Sequence, residues 1–308
     1  MRVPGAPGLA PGDFRMDLAT NLQMATAGLA MGSIYALAAL GFVLIFNAVG
    51  VVNFAQGEFV MVPAFVAVWL MDLMHVPFGW AYLITVIFMG LFGIVFQRIA
   101  YYPLRHRTFL PVVIATIGVS IFLKNAAQLI FGAEPMLMQR PTPPDTMNLA
   151  GVFVDPQYIV IILATAALLV SQHFFFEKTA LGKQMQATAQ DKEMARLLGI
   201  RVARTIAITF AYSSILGAAA GILIGPIFYV TKDMGAMLGL KAFCSTIVGG
   251  FGSVPGAILG GIFLGVIEVF ASYYISSAYR DAFAFILLIL VLLFRPQGFF
   301  GEKVAEKA

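Results

Sequence analysis

At least six stretches of this chain run for about 18 residues or more with almost no charge, and that constrains its fold more than any motif does. A run of that length reads as a membrane-spanning helix, because in lipid every backbone N–H and C=O must be bonded within the segment itself. The charge-free run 24–46 comes first. Runs at 80–97, 109–131, 157–176, 205–231 and 242–267 follow, and 282–294 ends the series. Charged residues make up 11% of the chain against roughly 25% in soluble domains. The expectation is an all-α integral membrane protein of about eight transmembrane helices plus short or broken helices, anchored in the lipid bilayer.

The basic residues orient it. Segments 98–107, 177–204 and 295–308 hold twelve of the nineteen Lys and Arg residues. By the positive-inside rule all three are cytoplasmic, and this bias explains the net charge of +4 without nucleic acid. The loop 132–156 is acidic, with Glu134, Asp145 and Asp155 against Arg140, as expected on the outer side. The predicted domains are a Pro/Gly-rich flexible leader over 1–20, one permease domain over 21–298 and a cytoplasmic tail over 299–308. Cys244 is the single cysteine and reads as a small core residue. His75, His106 and His173 lie too far apart for a metal motif, so no metal site is expected.

Two interruptions break the apolar pattern. In NAVGVVNFAQGE, 47–58, the residues Asn53, Gln56, Gly57 and Glu58 precede an apolar run, 59–71, too short to cross ~30 Å of hydrocarbon at 1.5 Å per residue. The crossing needs the polar residues, and irregular backbone at that depth is tolerated only against protein or a water-filled path. Residues 53–58 are therefore candidates for lining a translocation path, with capping of the next helix as the alternative for Asn53 and Gln56. Glu58 and Glu268 read either as intramembrane functional acids or as helix-end residues. The second interruption, GGFGSVPG at 249–256, reads as a tight turn between a short descending helix and a returning one. Glycines spaced by four, Gly217, Gly221 and Gly225, then Gly256 and Gly260, suit close helix packing. A Gly-spaced span followed by a polar turn and a small-residue helix occurs at 24–71 and again at 205–267, which suggests an inverted repeat.

The segment 177–204 is the one long charged stretch inside the apolar chain, with apolar residues spaced as in one or two short amphipathic helices. Such a surface suits docking in a partner's groove. The chain carries no phosphate-binding loop: its Gly182–Lys183 pair is followed by Gln184, and Glu177 stands where the first glycine of that loop belongs. A dinucleotide fingerprint fails at Pro255. The chain is thus not expected to be an enzyme, and any nucleotide would be held elsewhere.

Three runs carry a family resemblance: GSIYALAALGFVLIFNAVGVVNFAQGEF at 32–59, ATAQDKEMARLLGI at 187–200 and IVGGFGSVPGAILGGIFLGVIE at 247–268. In that order they resemble the LivH-type permease of branched-chain amino acid ABC importers. The resemblance implies an ABC importer permease fold in a bacterial cytoplasmic (inner) membrane, moving hydrophobic amino acids by alternating access. It also implies as partners a second, LivM-like permease, a periplasmic substrate-binding protein, and two ATP-binding cassette subunits that hold the ATP and Mg, with no cofactor on this chain. By the same resemblance 187–199 is a coupling helix against an ATPase subunit, through Ala187, Thr188, Asp191, Glu193, Ala195, Arg196, Leu198 and Gly199. Two departures stand out: Gln56 where relatives often carry histidine, and Pro63 within the short helix. An ion-coupled transporter working through Glu58, or a permease for urea or an amide, are the alternatives.

Overall fold

A computed structural model of the chain describes residues 11–143, 146–149 and 152–301. Among these described residues, eight helical segments are long and apolar enough to cross a membrane. Helix α1 (Pro11–Val49) is followed by a short 3-10 turn and α2 (Glu58–Asp72), then α3 (Phe78–Phe96) and α4 (Phe109–Phe131). A two-stranded hairpin, β1 (Met147–Leu149) and β2 (Val152–Val154), precedes α5 (Pro156–Lys178). Two short helices, α6 (Ala180–Gln190) and α7 (Lys192–Leu197), lead into α8 (Val202–Ile224), α9 (Met234–Gly249), α10 (Val254–Tyr274) and α11 (Arg280–Phe294).

Several expectations need adjustment. The leader expected to be flexible over 1–20 is helical from Pro11 onward, as the opening turns of α1, while residues 1–10 lie outside the described part. At 39 residues α1 is about 58 Å long, well beyond the ~30 Å hydrocarbon layer, so it projects past one face. The all-α expectation missed the hairpin, whose strands of three residues are too short to leave a periodic signature. Asp145, Lys303 and Lys307, which entered the charge reading, lie outside the described residues. Helix α8 stops at Ile224, just before Pro226, as the missing N–H of proline dictates.

Helices α1, α2 and α8 form the buried centre, while α3, α4, α5 and α11 present mostly exposed apolar surface. Helix α1 runs along α10, α9 and α8, and α8 runs along α3 and α2. The pairing of α1 with α9 and α10 matches the pairing of α8 with α2 and α3. The internal repeat is thus α1–α2–α3 against α8–α9–α10. The partner of α2 is α9, not the helix after the 249–256 turn, which corrects the correspondence drawn from the sequence.

Helix ends sort onto two faces. The Lys192 ammonium donates to Val49 O (3.1 Å), which brings the end of α1 beside α7 on the basic face. At the other end Tyr274 OH donates to Asn21 Oδ1 (2.6 Å), joining the outer ends of α10 and α1. The outer loop is pinned by a backbone bridge between Met136 and Val230 and by Gln139 Nε2 donating to Asp72 Oδ1. Helices α1 and α8 therefore run in opposite directions, as an inverted repeat requires.

Helices α1 and α10 approach backbone to backbone along a seam of small residues. A Cβ placed on Gly261 would lie 2.5 Å from Ala36 N, one on Gly32 2.6 Å from Ile262 Cα, and one on Gly28 2.8 Å from Val266 Cα. Gly261→Leu should therefore lower the thermal midpoint of the detergent-solubilised protein, by overpacking of about 1–3 kcal/mol or more. Gly118→Ala, where a Cβ meets nothing within 4 Å, should leave the midpoint the same or slightly raised.

Candidate functional site

The polar interruption enters the membrane layer. Helix α1 ends in Gly50, whose φ of +79° turns the chain back in a left-handed conformation that a side chain would strain. The backbone then passes α4: Phe54 N donates to Thr116 Oγ1 (3.2 Å) and Ser120 Oγ donates to Glu58 Oε1 (2.9 Å). Ser120 sits midway along α4, so Glu58 lies near the middle of the bilayer's depth. It opens α2 and so is a helix-end residue, but with 1% of its surface exposed it is buried at this depth and does not sit at a membrane edge.

The four residues expected to line a path divide by role. Asn53 Oδ1 accepts from Ala55 N (3.1 Å) and caps the 3-10 turn. Gln56 is packed against Gly41 and Ser213. Ser213 has one hydroxyl proton but faces two acceptors at 3.0 Å, Gly41 O and Gln56 Oε1. Turning the amide over lets Gln56 Nε2 donate to Ser213 while Ser213 donates to Gly41 O, which removes the orphaned donor. Gly57 and Glu58 line a cavity of about 230 Å³ between α1, α2, α4 and α9, whereas Asn53 and Gln56 are not among its lining residues.

Glu268, singled out in the sequence beside Glu58, has charged partners that the sequence did not reveal. Glu268 of α10 is 1% exposed. Its Oε1 accepts from Lys241 Nζ of α9 (2.8 Å) and Arg280 Nε at the start of α11 (2.6 Å), and its Oε2 accepts from Tyr35 OH of α1 (2.8 Å). Lys241 also pairs with Asp281 (2.6 Å), which leaves the group formally neutral. Tyr35, Lys241, Arg280 and Asp281 face a cavity of about 430 Å³ toward the outer side. Lys241 was passed over because α9 begins at Met234, ahead of the charge-free run at 242–267. The signal that would have found it is the requirement that a buried acid have a cation nearby.

Burial with several polar partners makes Glu268 a structural knot among four helices. Glu268→Leu leaves Lys241 and Arg280 with Asp281 alone, one buried positive charge in excess, and should destabilise the protein by about 3–5 kcal/mol, read as a lower thermal midpoint in detergent. Adding Lys241→Met should recover part of that loss, because the second change restores neutrality.

On the basic face, 177–204 folds as two helices, not as one helix over 187–199. Thr179 Oγ1 caps α6 by accepting from Gly182 N (3.0 Å). Asp191, extended at φ −152°, ends α6 and opens α7, its Oδ1 accepting from Glu193 N (2.8 Å) and Met194 N (3.0 Å). The acidic side chain suits a helix N-terminus better than its middle, so the break falls there. Gly199, at φ +82°, closes α7, with Ile200 N donating back to Ala195 O (3.0 Å).

Of the residues expected to couple, Thr188 and Ala195 are buried and hold the two helices onto the spans. Ala187 is half-buried, and Asp191, Glu193, Arg196, Leu198 and Gly199 are exposed. Two apolar residues absent from that set are exposed beside them: Leu197 at 81% and Met194 at 54%, next to Leu198 at 72%. Lys192, Arg196, Arg201, Arg105 and His106 surround a basic cavity of about 490 Å³ next to α7. Burial, with the Arg196 charge beside it, pushes the Lys192 pKa below its ordinary value.

Apart from Gly225, the glycines with spacing of four sit against backbone. A Cβ on Gly217 would lie 2.6 Å from Phe59 O, and Gly221 backs onto Val60 O and the ring of Pro63. The ring of Pro63 thus rests against a helix that has no side chain there, which accounts for a proline inside α2. Gly225 meets Met138, Gly256 meets Gly249 and Gly260 meets Ser245 O.

Eight spanning segments, an inverted repeat and a re-entrant polar stretch at mid-depth define a multi-pass membrane transport permease. The comparisons with known proteins then place it. The chain belongs to the family of the permease component of the branched-chain amino acid transport system, whose model matches residues 24–292. It is 37% identical, over 93% of this chain and 97% of the relative, to the high-affinity branched-chain amino acid transport system permease protein BraD of Pseudomonas aeruginosa. It is 34% identical to LivH of Escherichia coli K12 over the same shares. A solved structure of PsaBC from Streptococcus pneumoniae in complex with Fab matches with a TM-score of 0.51. At 13% identity over 92% of this chain and 95% of that one, it is a likeness of fold.

Proposed function

We propose that this chain is a membrane-spanning subunit of an ATP-binding cassette importer that moves branched-chain or other hydrophobic amino acids into the cytoplasm, in a bacterial inner membrane. The observation that carries the reading is the 37% identity over nearly the whole chain to a permease named for high-affinity branched-chain amino acid transport. The reading implies three kinds of partner: a second permease of the same family, two ATP-binding subunits carrying ATP and Mg, and a periplasmic binding protein.

The geometry supports a division of labour. This chain has no phosphate-binding loop of its own, so nucleotide energy has to enter through a contact. The α6–α7 segment offers one, because Met194, Leu197 and Leu198 expose an apolar patch beside Asp191, Glu193 and Arg196. An amphipathic surface of that kind seats in a groove of a partner protein. Motion imposed there reaches the spans directly. Lys192 holds the end of α1, and Gly199 joins α7 to α8, the two leading helices of the repeat. Rocking them against each other gives alternating access around the 53–58 stretch.

Leu197→Glu should reduce co-purification of the ATP-binding subunit with the permease and abolish ATP-driven leucine uptake in proteoliposomes. Asp191→Ala, which removes a helix cap worth about 1 kcal/mol, should impair uptake with milder loss of assembly. Leucine uptake by Leu197→Glu at the rate of the unaltered complex would rule out the docking assignment. Uptake that persists without the ATP-binding subunits would rule out the importer class.

A further inference from the structure

The described residues contain two buried carboxylates, and their surroundings differ in kind. Glu268 has two cations and a tyrosine hydroxyl on it. Glu58 has no cation within ion-pair distance among the described residues. Lys124, one helical turn beyond Ser120 on α4, is instead paired with Asp233. One oxygen of Glu58 accepts from Ser120, while the other, Oε2, is buried with no hydrogen-bond partner.

That orphaned oxygen packs against the wall of the 230 Å³ cavity that Glu58 helps to line. A Cβ placed on Gly235, a wall residue of the cavity, would lie 2.8 Å from it. Apart from Glu58 and Ser120 the side chains of the wall are apolar, with Phe42, Phe54 and Phe243 among them. The volume falls below the ~300–1,000 Å³ of pockets for drug-sized ligands and suits one small solute. A lone carboxylate in such a place is costly unless a cation with donors of its own comes to it. The open lone pairs of Oε2 take N–H donors, and the phenyl walls take hydrocarbon.

We propose that this cavity is a transient cargo site in which Glu58 receives the α-ammonium group of a hydrophobic amino acid and the phenyl walls receive its side chain. The proposal rests on the amino-acid reading above and adds to it a named binding group on this chain. The glycines make the site possible: Gly57 and Gly235 meet backbone to backbone, which clears the space that side chains would fill.

The test uses the complete transporter in proteoliposomes, with leucine uptake and ATP hydrolysis followed together. Glu58→Gln keeps the shape and removes the charge. Leucine uptake should fall on the order of tenfold or more, the scale of one lost charge-assisted hydrogen bond. ATP hydrolysis stimulated by loaded binding protein should continue, and Glu58→Asp should retain more uptake than Glu58→Gln. Uptake by Glu58→Gln at the unaltered rate overturns the proposal and leaves Glu58 as a neutral structural group. Should Glu58→Gln not assemble, Ala236→Trp decides, because this exposed wall residue can fill the cavity without entering a packed helix contact. Several-fold loss of leucine uptake with ATP hydrolysis retained supports the site, and undiminished uptake overturns it. Leucine uptake by the unaltered complex with indifferent Glu58 and Ala236 variants sinks this proposal alone. Uptake of urea or an amide in place of any amino acid sinks the substrate reading with it.

Discussion

The contact on which the rest of the structure depends is the backbone-to-backbone approach of α1 and α10. In a membrane, water does not drive helices together, since lipid tails are as apolar as the helices. What remains is close van der Waals packing, and glycines at the seam bring whole backbones into it. Gly28 and Gly32 on one helix interleave with Gly261 and Gly265 on the other. That seam sets the spacing of everything attached to it. Tyr35, one residue before Ala36 on the seam, is delivered to Glu268, one turn from Gly265, and α9 and α11 then close on the same carboxylate.

The two buried acids show how the same low dielectric can serve two ends. Around Glu268 the fold supplies cations and a hydroxyl, so the charges neutralise one another inside the protein and the group ties helices together. Around Glu58 it supplies one hydroxyl and an empty space. The first arrangement is closed and needs nothing from outside. The second is incomplete, and incompleteness at mid-depth in a transport protein has a natural complement in a passing solute.

Much of this was legible in the sequence. Charge-free runs located the spans, because lipid leaves a helix no other choice, and α4 falls at 109–131 as read. The short run at 59–71 forced the polar residues into the membrane layer. What could not be read was three-dimensional partnership. Lys241 looked like the border of a span until α9 was seen to start seven residues earlier. The repeat was matched to the wrong helix because two glycine-rich helices look alike in composition, and only the pairing of α2 with α8 against α9 with α1 tells them apart. The break at Asp191 lay in plain view, since an acidic residue followed by helix formers is an N-cap pattern, but the family likeness suggested one continuous helix.

That break bears on how force would enter the membrane domain. A single rigid helix over 187–199 would transmit motion to both flanks equally. Two helices meeting at one extended residue divide the load instead. Helix α6 is laid against the spans by Gly182, Met185 and Thr188, spaced three apart on one face. Helix α7 rests on Ala195 and Lys192, and it leads through Gly199 into α8. A push on the exposed patch of Met194, Leu197 and Leu198 therefore acts first on α8 and the end of α1, with Asp191 as the flexing point between α6 and α7. Since α8 also carries Ser213 against Gln56 and Gly217 against Phe59, displacement of α8 changes the setting of the whole 53–59 stretch. If α7 docks on an ATP-binding subunit as proposed, the re-entrant segment that holds the unpaired carboxylate lies mechanically downstream of that contact, which is the order of events an energy-driven importer requires.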